Sequence, residues 1–159
     1  MIKYLKGDAT NPIDTPDKTP VIAHVCNDIG QWGAGFVIAL SKKWPEPEQA
    51  YRTWAKSSSD DFALGNSILV PVQDENRDIF VMNIIGQHKI RTKDYIPVRY
   101  WAIHKAFKTF CESRPSIAYS FHMPRIGCGL AGGLWEEIEY ILNDTLIKYG
   151  FETYVYYFE

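Results

Sequence analysis

The sequence predicts an α/β fold: a three-layer α/β/α sandwich around a mixed central sheet of about six strands. Three observations carry this prediction. Short β-branched runs alternate with stretches whose apolar residues recur at helical spacing. Two of the strands lead into glycine-rich loops that each open a helix. The chain of 159 residues has no internal repeat or low-complexity run, which predicts one domain over 1–159.

Taken in order, Ile2 to Leu5 reads as a short strand and Val21 to Val25, "VIAHV", as a second. The proline-punctuated "NPIDTPDKTP" between them is expected to be a long exposed loop. Phe36, Val37, Leu40 and Trp44 fall at helical spacing, and "PEPE" closes that helix and starts another carrying Ala50, Tyr51 and Trp54. "SILVPV" and "DIFVMNII" are apolar strands joined by the five-residue link "QDENR", with Pro71 placing the first near an edge. After Pro97, Ile103, Ala106, Phe107 and Phe110 mark a third helix that ends before Pro115. "SIAYSFHM" reads as a buried strand. Leu134, Ile138, Ile141, Leu142, Thr145 and Tyr149 form the stripe of a last helix, Gly150 suits the left-handed position after it, and "ETYVYYF" is the final strand.

Composition narrows the function. The chain is 46% hydrophobic and carries a net charge of -2, so it lacks the basic face that duplex nucleic acid requires. No apolar run approaches the roughly 20 residues of a membrane span, and no secretory leader pattern opens the chain, so the expected compartment is the cytoplasm. Cys26, Cys111 and Cys128 are odd in number and form no CxxC pair, which predicts reduced thiols. His24, His88, His104 and His122 show no two-ligand spacing on one helix face, so no metal is expected, and no cofactor is expected beside the ligand.

The loops carry the chemistry. "CNDIGQWGAGF" places Gly30, Gly33 and Gly35 between the second strand and its helix. "MPRIGCGLAGGLWEEI" places Gly127, Gly129, Gly132 and Gly133 before the last helix. Glycine inside an element costs about 0.5 to 1 kcal/mol relative to alanine, so such density points to a ligand lying against bare backbone. Two loops leaving one sheet edge beside free helix amides suit a diphosphate. The glycine spacing of "GQWGAG" is not GxGxxG, and no acidic residue follows to hold a ribose, so nicotinamide redox chemistry is disfavoured; no GxxxxGK[ST] occurs either.

"KGDAT", "HVCNDIGQWGAGF" and "MPRIGCGLAGGLWEEI" occur in an order that resembles the macro domain family across essentially the whole chain. Within it the resemblance is to the branch of ADP-ribosyl glycohydrolases and ADP-ribose 1''-phosphate phosphatases. The resemblance implies ADP-ribose or an ADP-ribosylated molecule as partner. It assigns Asp8, beside Ala9, to the adenine amino group. Gly30, Gly33, Ala34, Gly35 and Phe36 would line distal ribose and diphosphate, with Trp32 packing on a ring. Gly127, Cys128, Gly129 and Leu130, flanked by Ile126 and Ala131, would close from the other side.

The glycohydrolase mechanism does not carry over. Ala131 stands where that branch has a carboxylate, and Gly86 or Gln87 stands where it has a lysine, with Lys89 two or three residues late. His24, whose unperturbed pKa near 6.5 suits proton transfer, is the alternative catalytic candidate, with Asn27 and Asp28 to orient a water. A cysteine nucleophile is disfavoured. Two functions therefore remain open: a hydrolase acting at the distal ribose, and a non-catalytic ADP-ribose-binding module.

Overall fold

The computed structural model describes residues 1–158. Six strands form one sheet in the order β1-β6-β5-β2-β4-β3: β1 Lys3–Lys6, β2 Thr19–Asn27, β3 Ser67–Asp74, β4 Arg77–Gln87, β5 Tyr119–Met123 and β6 Glu152–Tyr157. All neighbouring pairs are parallel except β3 with β4, so the sheet is mixed. Helices α1 Phe36–Lys43 and α2 Glu46–Lys56 cover one face, and α3 Tyr100–Ser113 and α4 Trp135–Leu142 cover the other.

The layers follow from side-chain alternation on β2 and β4. Ile22 and Cys26 of β2, with Val81 and Ile85 of β4, pack beneath Val37 and Leu40 of α1 and Tyr51 of α2. Val21, Ala23, Met82 and Ile84 face the opposite way, against Ile103 and Phe107 of α3 and Ile138 of α4. Since β2 is covered on both faces, it reads as a near-continuous apolar run. Pro71 sits on β3, an edge strand, where a missing N–H breaks no ladder.

Four local expectations change. The link "QDENR" shrinks to Glu75 and Asn76, because β3 runs on through Asp74 and β4 begins at Arg77; Glu75 takes the positive φ of the turn, 57°. Residues Ser116–Ala118 form a 3-10 turn, and the strand starts only at Tyr119. The last helix turns π-helical at Asn143–Ile147, where the buried Thr145 hydroxyl donates to the Ile141 carbonyl at 2.7 Å and so competes for that helical acceptor. Tyr149 then leaves the buried stripe and is exposed.

The proline-rich loop is the fourth. It is tied down, not loose: Pro12, Thr15 and Pro20 are buried, and Arg77 donates to the Pro12 carbonyl at 2.8 Å. A buried polar chain holds it. Thr15 and Ser120 hydroxyls meet at 2.8 Å, Ser120 bonds His122 Nε2 at 2.9 Å, and His122 Nδ1 bonds the Tyr156 hydroxyl at 2.8 Å. That hydroxyl accepts from Ile13 N–H at 3.0 Å. The proline spacing shows turns but not these distant partners.

Candidate functional site

β2 and β5 are parallel neighbours, so their carboxyl ends deliver both glycine loops to one sheet edge. In the first loop Asn27 is the organiser. Its Oδ1 accepts from the N–H groups of Ile29 and Gln31, each at 3.1 Å, and lies 2.7 Å from the Tyr51 hydroxyl; its Nδ2 donates to the Gln31 carbonyl at 2.7 Å. The Tyr51 hydroxyl, rising from α2, also accepts from Gly30 N–H at 3.1 Å. The loop is thereby closed on itself before it reaches Gly33. Gly35, at φ 78° and ψ -142°, turns it into α1 in a conformation that β-carbons oppose.

Among the described residues nothing accepts from the N–H groups of Gly33, Ala34 or Gly35. Helix α1 has no side-chain cap and no acidic residue in its first turn, whereas α4 opens with Glu136 and Glu137. An anion is therefore favoured at α1, where partial positive charge is unopposed.

The second loop forms a ring. Gly133 N–H donates to the Gly127 carbonyl at 2.7 Å, and a β-carbon on Gly133 would stand 2.4 Å from that oxygen, so only glycine permits the closure. The ring presents Gly129 outward, where a β-carbon would meet nothing within 4 Å; the same holds at Gly33 across the gap.

Between the loops lie two contiguous cavities. One, of about 210 Å³, is bounded by His24, Ala34 to Val37, Gln87 and Pro124 to Ala131. The other, of about 330 Å³, is bounded by Asn27, Gln31 to Ala34, Gln87, Ile90, Arg91 and Leu130. Gly35, Phe36 and Pro124 connect the first to a further recess of about 350 Å³ containing Gly7, Asp8, Ala9, Tyr156 and Phe158. Neither cavity between the loops is lined by an acidic residue, and each has one arginine, Arg125 or Arg91.

The expected ligand-binding residues thus gather along one groove, with exceptions in detail. Asp8 is exposed at the recess, but its Oδ1 accepts from Thr10 N–H at 2.8 Å and Thr10 hydroxyl at 2.9 Å, leaving Oδ2 outward. Trp32 borders the larger cavity but is largely buried: it is 7% exposed, packs 5.4 Å from both His24 and Tyr51, and donates Nε1–H to Ser41. Gly30 packs toward Ala55 and bounds neither cavity. Ile126, Cys128 and Ala131 line the smaller cavity.

The three catalytic candidates are all engaged. His24 is 2% exposed and faces the α1 and α2 layer, where its Nε2 meets Asn83 Oδ1 at 2.5 Å. Asn83 uses its own Nδ2 on the Pro47 carbonyl, so its oxygen accepts and the imidazole carries its proton on Nε2. Burial lowers the pKa to about 4, so the near-neutral titration expected of this histidine is not met. Asp28 turns away from the cavities; its Oδ2 pairs with His88 Nδ1 at 2.6 Å and its Oδ1 accepts from Lys89 N–H at 2.7 Å. Cys26 and Cys128 thiols are pushed up by burial, which disfavours thiolate chemistry.

Gln87, Arg91, Tyr156 and Phe158 line the groove without having been singled out as ligand-binding residues. Gln87 ends β4 and borders both cavities. Residues 88–98 form a flap over the larger cavity: His88 N–H donates to the Pro97 carbonyl at 2.8 Å, and Val98 N–H donates to the Ala131 carbonyl at 3.0 Å. Arg99 closes it, donating to the Ile96 and Val98 carbonyls and to the Tyr95 hydroxyl. Among the described residues no group of three metal-binding side chains occurs, and no helix is long and apolar enough to cross a membrane.

No protein-family model matches the chain. Among solved structures, a Bacteroides thetaiotaomicron protein of unknown function is 47% identical, with a TM-score of 0.89 over 98% of this chain and 97% of that one. A Streptomyces coelicolor macrodomain protein is 41% identical, with a TM-score of 0.82 over the full length of both. A curated relative, the ADP-ribose 1''-phosphate phosphatase of Lodderomyces elongisporus, is 26% identical over 97% of this chain and 98% of its own. Full-length likeness to the Streptomyces structure and the paired loops at one sheet edge agree: the chain belongs to the macrodomain family.

Proposed function

We propose that the protein binds an ADP-ribosyl compound in the groove and hydrolyses it at the distal ribose. The observation that carries the reading is one 210 Å³ cavity bounded by both glycine loops, with an uncapped helix at its edge. A diphosphate lies there, receiving amide N–H groups from Gly33 to Phe36 on one side and Gly127 to Ala131 on the other. Adenine lies in the recess beside Asp8, Ala9 and Phe158, with the free Asp8 oxygen accepting from its amino group. The distal ribose enters the larger cavity, near Gln31, Gly33 and Gln87. Curated relatives named ADP-ribose 1''-phosphate phosphatase support hydrolysis of a phosphate ester at that ribose.

His24 acts indirectly in this reading. It is neutral and backs Trp32 and Phe36, so it is a positioning residue, and a water at the ribose is held by the Gln87 amide. A second reading, a binding module without turnover, is favoured by one fact: Asn27, Asp28 and His24 are all committed to partners within the protein.

Calorimetric titration with ADP-ribose, alongside phosphate release from ADP-ribose 1''-phosphate, tests both. Binding is expected, weakened by Asp8→Ala and abolished by Gly129→Glu, which fills the cleft where space is open and leaves unfolding unchanged. Absence of binding by the wild type removes the proposal. Binding without release from the phosphate ester, or of ADP-ribose from a modified peptide, selects the module.

A further inference from the structure

Among the residues that line the larger cavity one carries a full charge, Arg91. It is placed there by construction. Thr92 bridges to Tyr95 at the flap tip, Gln87 bridges to Val98 at its base, and Asp28 holds both His88 and Lys89. Gly132 clears the way: a β-carbon there would stand 2.8 Å from Arg91 Nη1 and 3.0 Å from Ile96. The guanidinium lies against Gly132 of the second loop.

Other arginines of this region are spoken for. Arg99 is used inside the flap, and Arg125 lies over the Trp135 ring at 5.6 Å. Arg91 has no hydrogen-bond or ion-pair partner among the described residues. The Asp28 carboxylate does not line the cavity; it is turned to His88 and to the Lys89 N–H. An unpaired arginine that shares the wall of a 330 Å³ space with Gln31 and Gln87 suits a planar or tetrahedral oxyanion.

Resting on the ADP-ribosyl reading above, we propose that Arg91 is a specificity-determining residue: it pairs with an anionic substituent on the distal ribose, a phosphate monoester, and favours such ligands over unsubstituted ADP-ribose. The diphosphate is held elsewhere, by loop amides, so Arg91 contributes little to ligands without that substituent.

The test measures dissociation constants for ADP-ribose and for an analogue whose anomeric carbon carries a phosphonate through a methylene, which resists hydrolysis. Wild type is expected to prefer the phosphonate. Arg91→Gln lowers phosphonate affinity roughly 10- to 100-fold, the value of a charge-assisted bond, and leaves ADP-ribose affinity unchanged. Arg91→Lys restores part of the loss, and Lys93→Gln, which removes a charge from the same flap outside the cavity wall, changes neither. Equal wild-type affinity for both ligands overturns the inference, as does an Arg91→Gln variant that loses both alike or neither. If wild type binds ADP-ribose, those failures leave the function standing; if it binds neither ligand, the function and the inference fall together.

Discussion

His24 and Asn27 leave the same strand three residues apart, and their surroundings assign them different work. Asn27 is a loop clamp. Its oxygen satisfies two main-chain donors and its amide a third main-chain group, so Asn27→Ala strands polar groups that are partly shut from water. We expect that change to cost about 2 to 6 kcal/mol, at 1 to 3 for each of the two abandoned donors, read as a lowered urea midpoint. Asn27→Asp keeps the acceptor for Ile29 and Gln31 but sets a carboxylate oxygen against the Gln31 carbonyl, so it should recover only part of the loss. An unchanged midpoint in the alanine variant would contradict the clamp. "HVCND" is conspicuous in the sequence, but the partners that decide each role are distant: Tyr51, Asn83 and His88. Local spacing shows that polar groups gather at a strand end, not whether a ligand or the protein itself will use them.

Among elements, the glycine loops were legible and the flap was not. Loops announce themselves because φ near 78° and backbone closures leave glycine no substitute. The flap is held by long-range main-chain bonds to β4 and to the second loop, which impose no periodicity on "KIRTKDYIPV". Its stability is concentrated in Arg99, three of whose bonds stay inside the segment. Arg99→Ala should therefore raise amide hydrogen exchange across 88–98 while leaving β2 and β5 protected. Exchange rising across the whole sheet would mean the flap is part of the global unfolding unit. The π-helical turn was hidden for a similar reason: the stripe through Thr145 fits an α-helix, and only the hydroxyl bond to Ile141 reveals the interruption.

At the scale of the molecule, the sheet was readable because each strand is a separate apolar run, while the order of strands depends on partners that no run displays. Two buried histidines set an acid limit. The pKa falls to about 4 for His24 and about 3 for His122, both mainly by burial, so each stays neutral in the fold and titrates normally once unfolded. The unfolded chain then binds more protons below its histidine pKa, and stability, complete above about pH 6.5, falls as pH drops toward the folded values. For His24 alone a shift to about 4 corresponds to roughly 3 kcal/mol lost by that pH. The melting temperature should be flat above about pH 7 and decline from about 6.5 to 4.5, before most carboxylates protonate. A flat profile through that interval would show that the rings are hydrated or charged in the folded state.

The strand order carries one more consequence. β1 has a single neighbour in the sheet, and that neighbour is β6, made after the other five strands. During synthesis β1 must wait, unpaired, until β6, roughly 150 residues further on, has left the ribosome. The β3–β4 hairpin, by contrast, can form as soon as its turn emerges. The recess beside Asp8, bounded by the ends of β1 and β6, is therefore the final part of the groove to take shape, and a nascent chain can bring both glycine loops to the sheet edge before it has a place for the far end of its ligand.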